Sequence, residues 1–347
     1  MKRWLLTAVS FAAVIAVSIY AMCGEATQGF RLAMPPLAHL LAALAFVVEV
    51  ATRSLKLTWS ATAVSTKLPI TTAFRTSLGG DFASAITPAR LGGEPARYLV
   101  LAQAGIDAAS AMVILYLELF LEMISLIAVV VLIAVLFSAS APAVATLIGL
   151  VGAYSFFVIG VGVAAVVLSR TSPGSEAPRW ARHLRLHGSR WESVQRWVVR
   201  VRTTVDAFRT MHLGWAALAL LSSIAHIAAR FTILPALIFT MTDKPVPLGP
   251  LVVWPLGIIY GAGIVPAPGG GGAVELTFRA ALGNVIPPEL FAPALLWWRF
   301  YTFYLYIAIG GLVAGNTALR AIKQVEEVEE ELERGSDSPR REGGSKS

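Results

Sequence analysis

Ten ionisable side chains lie within stretches otherwise apolar enough for lipid: Asp81, Glu94, Glu118, Glu122 and Glu275 against Arg90, Arg97, Arg230, Arg279 and Arg299. A charged group at membrane depth costs about 2.5–3.5 kcal/mol on insertion scales, so each calls for a partner or a wet cavity. Glu118 and Glu122 are one helical turn apart, as are His226 and Arg230, and each pair therefore projects to one helix face. Internal salt bridging that fixes helix packing accounts for any single pair. Ten such groups exceed what packing needs, and the planar fork of donors on arginine is suited to gripping a phosphate.

Two glycine-rich breaks accompany these charges. Thr87-Pro-Ala-Arg-Leu-Gly-Gly-Glu94 carries Gly92 and Gly93, and Pro266-Ala-Pro-Gly-Gly-Gly-Gly272 carries Gly269, Gly270, Gly271 and Gly272. Irregular backbone at membrane depth survives only where protein or water satisfies its amides. Glycine runs also let several N–H groups converge on an anion at the start of a half-helix. A plain flexible turn is the other reading of Gly269–Gly272. No Gly-Lys-Ser/Thr follows, so the run is not a nucleotide loop. No Asp-rich metal motif, nucleophile elbow or paired-histidine metal signature occurs, and no cofactor, metal or catalytic residue is expected.

The elements that must position these groups follow from composition. The 347 residues are 56% hydrophobic and 14% charged, with a mean hydropathy of +0.69. Soluble domains carry about 25% charged residues, so this chain needs lipid. At roughly 20 residues per span it holds about six to eight crossings, which excludes a large soluble catalytic domain. The net charge of +7 suits anionic lipid headgroups better than nucleic acid. A single cysteine, Cys23, excludes an intrachain disulfide.

Apolar runs predict six spans: 4–22, 37–52, 108–137, 143–169, 213–241 and 291–319. The first could also be a signal peptide. Segments 68–105 and 250–282 are too polar or too broken for plain spans and are expected to be re-entrant. Residues 170–212 form a basic loop with nine arginines against Glu176, Glu192 and Asp206. In that loop Trp191, Val194, Trp197, Val198 and Val201 recur at helical spacing, as in a basic amphipathic helix at the headgroup layer or a solvated loop helix. The tail, 320–347, is polar and expected to be largely disordered.

Positive residues near span ends stay in the cytoplasm. Lys2, Arg3, Arg53, Lys56, Lys67, Arg75, the basic loop, Arg320 and Lys323 all fall on that side if both broken segments enter and leave on one face, whereas the opposite loops carry only Arg31 and Lys244. Both termini are then cytoplasmic. Span, span, re-entrant segment, span occurs twice with opposite starting sides, the layout of an inverted repeat. Pro88, Gly92-Gly93, Glu94 and Arg97 are echoed by Pro268, Gly271-Gly272, Glu275 and Arg279, an echo that chance could also produce.

The stretch Thr87-Pro-Ala-Arg90-Leu-Gly-Gly-Glu94-Pro-Ala-Arg97 resembles the "T-P-x-R-x-G-G-E-x-x-R" signature of the lysylphosphatidylglycerol synthase transmembrane-region family, the flippase-like membrane proteins. Pro268-Gly-Gly-Gly-Gly-Ala-Val-Glu275 resembles its "P-G-G-x-G-x-x-E", and Arg299 its last-span arginine. Where that family has Glu-Arg-x-x-Asp, this chain has Glu118, Leu119 and Glu122, which puts a supporting ion pair in doubt.

The resemblance implies a bacterial or archaeal multi-pass protein of the cytoplasmic membrane that moves, or helps move, a lipid between leaflets. The fused members carry a following aminoacyl-transfer domain, for which these 347 residues leave no length. The combined expectation is an all-α polytopic transmembrane domain over 1–319. Its midplane cavity would bind an anionic phospho- or polyprenyl-lipid through Arg90, Arg97, Arg279, Arg299 and the glycine amides. Glu94 and Glu275 would orient the arginines, and Asp81, Glu118, Glu122, His226 and Arg230 would give coupling or support. Two other readings share these residues: an accessory protein serving a separate lipid-biosynthetic enzyme, and a lipid-modifying enzyme using Glu94, Glu118 and His226.

Overall fold

The computed structural model describes residues 34–170 and 210–320 apart from 88–89, 138–140, 263–264, 266–267 and 318, together with scattered positions between 191 and 208 and Lys323. The expected span at 4–22, most of the basic loop with its amphipathic stretch, and nearly all of the tail lie outside the described residues. Among those described, the secondary structure is entirely helical. The chain is an all-α polytopic membrane protein.

Helix α1 spans Pro36–Ala63. Its buried stripe, Ala38, Ala42, Phe46, Glu49, Arg53 and Lys56, recurs at intervals of three and four, while Leu37, Leu40, Leu44 and Val47 lie exposed on the opposite side. The apolar run by itself predicts an end at Thr52, with Arg53 and Lys56 in a loop on the cytoplasmic side. That reading is wrong: the helix continues for eleven further residues and both cations are buried within it. They carry no information about sidedness, which at this end rests on the exposed Lys67 and Arg75.

Helices α2 (Ile70–Ile86) and α3 (Gly93–Gln103) form a hairpin around the first glycine break. They approach so closely that a Cβ on Gly93 would stand 2.1 Å from Ser84 Oγ. The open ends of this hairpin share one neighbour: Arg75 Nε donates to Val313 O at 3.2 Å, and Thr317 Oγ1 donates to Gln103 Oε1 at 2.8 Å.

Helices α4 (Ala108–Phe137), α5 (Ala141–Ser169) and α6 (Leu213–Phe239) each contain a window long and apolar enough to cross a bilayer. The described part of α5 turns almost all of its surface outward, as expected for a helix at the lipid boundary. Helix α6 packs along the length of α1. The His212 N–H donates to Ala63 O at 2.8 Å, so the end of α1 meets the start of α6 and the two run antiparallel.

The second broken segment consists of α7 (Leu248–Gly261), a 3₁₀ turn at Pro268–Gly270 and α8 (Ala273–Leu282). Gly269, Gly270 and Gly272 all adopt positive φ, which explains why this turn is built from glycine. Helix α9 (Pro288–Arg299) passes through a π turn at Phe300–Tyr304 into α10 (305–317). The expected last span is therefore interrupted directly after Arg299. Of the six expected spans, three meet length and apolarity alone, one lies outside the described residues, and α1 and α9–α10 are long helical runs carrying charge. The main core joins α1, α6, α8 and α9 through Phe46, Leu234, Phe278, Phe291 and Trp298.

Candidate functional site

Three charged clusters converge between α1, α6 and the two broken segments. In the first, Lys56 Nζ lies 2.7 Å from Glu122 Oε2 and 3.2 Å from Glu118 Oε1, with no exposed side-chain surface. Arg97 bridges outward from Glu118, bonding it through Nη2 and reaching Glu94 through Nη1 at 3.1 Å. The Tyr260 hydroxyl donates to Glu122 Oε1 at 2.8 Å. An unbroken chain of polar contacts thus runs from α3 through α4 and α1 to α7. The partner that the Leu119 position put in doubt is supplied from another helix, by Lys56.

The second cluster surrounds Glu49, which is fully buried. The Tyr306 hydroxyl donates to its Oε2 at 2.5 Å, and Arg53 Nε and Arg230 Nη1 both stand 3.8 Å from Oε1. Arg53 also bonds Asp81 through Nη2. Both guanidinium groups lie over the Tyr306 ring, 5.4 and 5.2 Å from its centroid, in cation–π geometry. Arg230 reaches on toward Thr302 O at 3.5 Å, at the π turn. Such turns recur at functional sites because they re-aim a helix face.

In the third, Arg299 Nε pairs with Glu275 Oε1 at 2.8 Å, and its guanidinium stacks 4.3 Å from the Phe303 centroid. The other Glu275 oxygen accepts the Gly272 N–H at 2.8 Å, closing the start of α8. Arg299, and not the nearby Arg279, is therefore the ion-pair partner of Glu275. Arg279 does not line either polar cavity, so the expected headgroup contact from this residue is not borne by the geometry.

The glycine breaks also differ from expectation. Their amides were expected to face an anion, yet the Gly272 N–H is taken by Glu275 and the Gly92 N–H by Thr87 Oγ1 at 2.9 Å. Gly269 lines the smaller cavity. At Gly92 and Gly272 the breaks therefore provide close approach and a turn, and the positive charge at the cavity walls comes from arginines.

Two adjoining cavities open among these clusters. The larger, about 250 Å³, is walled by Arg53, Arg90, Arg97 and Arg230 with Asp81, Glu94, Glu118, Glu122 and His226. The smaller, about 40 Å³, is walled by Arg90, Arg230 and Arg299 with Asp81, Thr302 and Tyr306. Asp81, Arg90 and Arg230 line both.

Around these walls six carboxylates are held by five cations. Glu49, Asp81, Glu94, Glu118, Glu122 and Glu275 pair with Arg53, Lys56, Arg97, Arg230 and Arg299. Arg90 is the sixth cation. Among the described residues its guanidinium makes no hydrogen bond or ion pair, and its backbone sits at φ 60°. His226 Nδ1 and Arg299 Nη2 are likewise buried without a hydrogen-bond partner.

Sequence reasoning placed Asp81, Arg90, Arg97, Glu94, Glu118, Glu122, His226, Arg230 and Arg299 at one site, and the fold brings them together. It missed Glu49, Arg53, Lys56, Tyr260 and Tyr306. For the first three the signal was present, since 49, 53 and 56 follow helical spacing on one face within an apolar run. The tyrosines had none, because their hydroxyls matter only through partners 138 and 257 positions away.

The family profile described as "Lysylphosphatidylglycerol synthase TM region" matches residues 4–310. No curated protein matches the chain. The match takes in both glycine breaks and every residue of the three charged clusters, and the chain belongs to the lysylphosphatidylglycerol synthase transmembrane-region family.

Proposed function

We propose that the protein moves an anionic phospho- or polyprenyl-phosphate lipid between membrane leaflets, with the headgroup held in the paired cavities and the tails left in the bilayer. The observation that carries this reading is Arg90, which reaches both cavities and, among the described residues, makes no hydrogen bond or ion pair of its own while every acid lining them is already paired. A half-buried guanidinium without a hydrogen-bond partner is costly and is satisfied when a phosphate arrives. Arg299 and Arg230 stand across the smaller cavity to complete the grip.

Membrane-lipid involvement follows from family membership; directed movement is the proposal. In it, α2–α3 and α7–α8 are re-entrant hairpins of an inverted repeat. The shared position of Arg75 and Gln103 beside the end of α10 supports entry and exit of the first hairpin on one side. The antiparallel α1–α6 pair supports the repeat, since these helices are the second member of each half. Glu118, Glu122 and His226 are the groups proposed to couple movement to an ion gradient. The protein sits in the cytoplasmic membrane, both termini inside, with the basic loop against anionic headgroups.

The test is reconstitution into liposomes with fluorescent phosphatidylglycerol and a leaflet-selective quencher. Arg90→Ala is expected to slow exchange at least about tenfold, the loss of one charge-assisted contact. Exchange at the original rate would remove Arg90 from the headgroup site. A new lipid product in the mass spectrum would convert the reading to an enzyme. A protein that moves nothing alone, yet restores a lipid-synthesising partner, would make it an accessory.

A further inference from the structure

A second, apolar groove lies away from the charged clusters. Its volume is about 830 Å³, and its walls are Met112, Tyr116 and Phe120 of α4, residues 159 and 161–167 of α5, and Val205 with Phe208 on the approach to α6. Tyr116 closes its floor. The hydroxyl donates to Val158 O at 3.1 Å, and Gly162 is the residue that permits this, since a Cβ there would stand 2.2 Å from the hydroxyl oxygen. Phe208 packs edge-on against the same ring at 5.6 Å. With that hydroxyl committed, the one charged residue on the lining among the described residues is Arg170, exposed at the rim.

Three physical features select the occupant. Glu118 and Glu122 line the polar cavity from another face of α4, so the groove belongs to the lipid-facing side of that helix. From Ile159 to Arg170 is eleven residues, about 16 Å at 1.5 Å per residue. That is half of a hydrocarbon core of about 30 Å, the depth of a single leaflet. The rim residue Arg170 is the first of the sequence segment 170–212, which carries nine arginines against three acids.

We propose that this groove is a binding site for one anionic phospholipid of the leaflet on the basic-loop side, its acyl chain lying along Tyr116 and Val163 and its phosphate meeting Arg170. The site is separate from the cavity that Arg90 lines and does not depend on what that cavity carries. Unlike the general lipid boundary, it has a floor, two walls and a charged rim.

The experiment uses the full chain in phosphatidylcholine nanodiscs containing a trace of phosphatidylglycerol with a photoactivatable acyl chain, followed by peptide mapping. Label is expected to concentrate on residues 108–120 and 159–170. Val163→Trp, which fills the groove, should cut it roughly tenfold, and Ala164→Phe serves if that variant fails to fold. Arg170→Gln should lower the preference over an equivalent phosphatidylcholine probe about fivefold, the worth of one arginine near an anionic surface. Arg90→Ala, which alters the separate polar cavities, should leave labelling of residues 159–170 unchanged. Label spread evenly over all spans and indifferent to Val163→Trp would overturn the proposal, as would a chain-to-chain crosslink across the groove, which would assign it to a second copy.

Discussion

Lys56 shows how tightly the charged interior is interlocked. Its ammonium answers two carboxylates, so Lys56→Met would leave Glu122 with only the Tyr260 hydroxyl and Glu118 with only Arg97. Breaking a buried pair on one side costs about 3–5 kcal/mol, because the remaining charge stays in low dielectric. A large drop in the thermal midpoint of the detergent-purified protein is expected, and Lys56→Met combined with Glu122→Gln should recover most of it. If the double variant melts no higher than the single, Lys56 is not compensating Glu122. Most of these charges were legible because an acid or arginine in an apolar run is conspicuous. Lys56 itself was legible by type and misread by place: a cation near the apparent end of a span looks the same in sequence whether the helix stops or continues.

At the scale of elements, the long apolar runs that became α4, α5 and α6 could be read directly, since little but a span accommodates such windows. Their ends are set by local chemistry. Asp107 caps α4, its Oδ1 accepting the N–H groups of Ala109 and Ser110 at 3.0 Å each. Asp107→Ala should cost about 1 kcal/mol of stability. The bonds to Ser110, and then that to Ala109, hold the Asp107 carboxyl below its usual range. A folded-state value below the unfolded one means the cap contributes fully above about pH 4 and fades as pH falls through the folded value. The gap between wild type and Asp107→Ala should therefore close in acid; a gap constant from neutral pH to pH 3 would deny the cap its charge. The broken segments were located from glycine and proline but not explained by them. That Thr87 and Glu275 would claim the amides of Gly92 and Gly272 depends on side-chain direction, which composition does not carry.

For the whole molecule, the backbone bond between His212 and Ala63 places the end of α1 and the start of α6 together, and α6 then runs away toward Lys244. In the proposed topology Lys67 and Arg170 belong to one face of the membrane and Lys244 to the other. In a Cys23→Ser background, single cysteines at 67, 170 and 320 are expected to react with an impermeant thiol reagent from one side of sealed vesicles. A cysteine at 244 should react only from the other. Labelling of 244 from the same side as 170 would break this topology. The sides were assigned from positive residues, two of which, Arg53 and Lys56, are buried in α1; only the long apolar runs were directly legible. The pairing of α1 with α6 was not, because neither run alone identifies its neighbour.

That pairing has a consequence for how the protein is made. Helix α1 carries Glu49, Arg53 and Lys56, and three ionised residues oppose insertion by about 8–10 kcal/mol against gains of only about 0.3–0.6 kcal/mol per large aliphatic residue. Its full-length neighbour is not finished until residue 239, roughly 10–35 s later at ordinary translation rates. A nascent chain ending just after Ala63 is thus expected to leave α1 outside the lipid, as a glycosylation reporter in microsomes would show. Extending the chain through α6 should bring it in. If the short chain integrates fully, α1 needs no companions. Otherwise, the charges that build the cavity also time its assembly, making α1 among the last helices to settle.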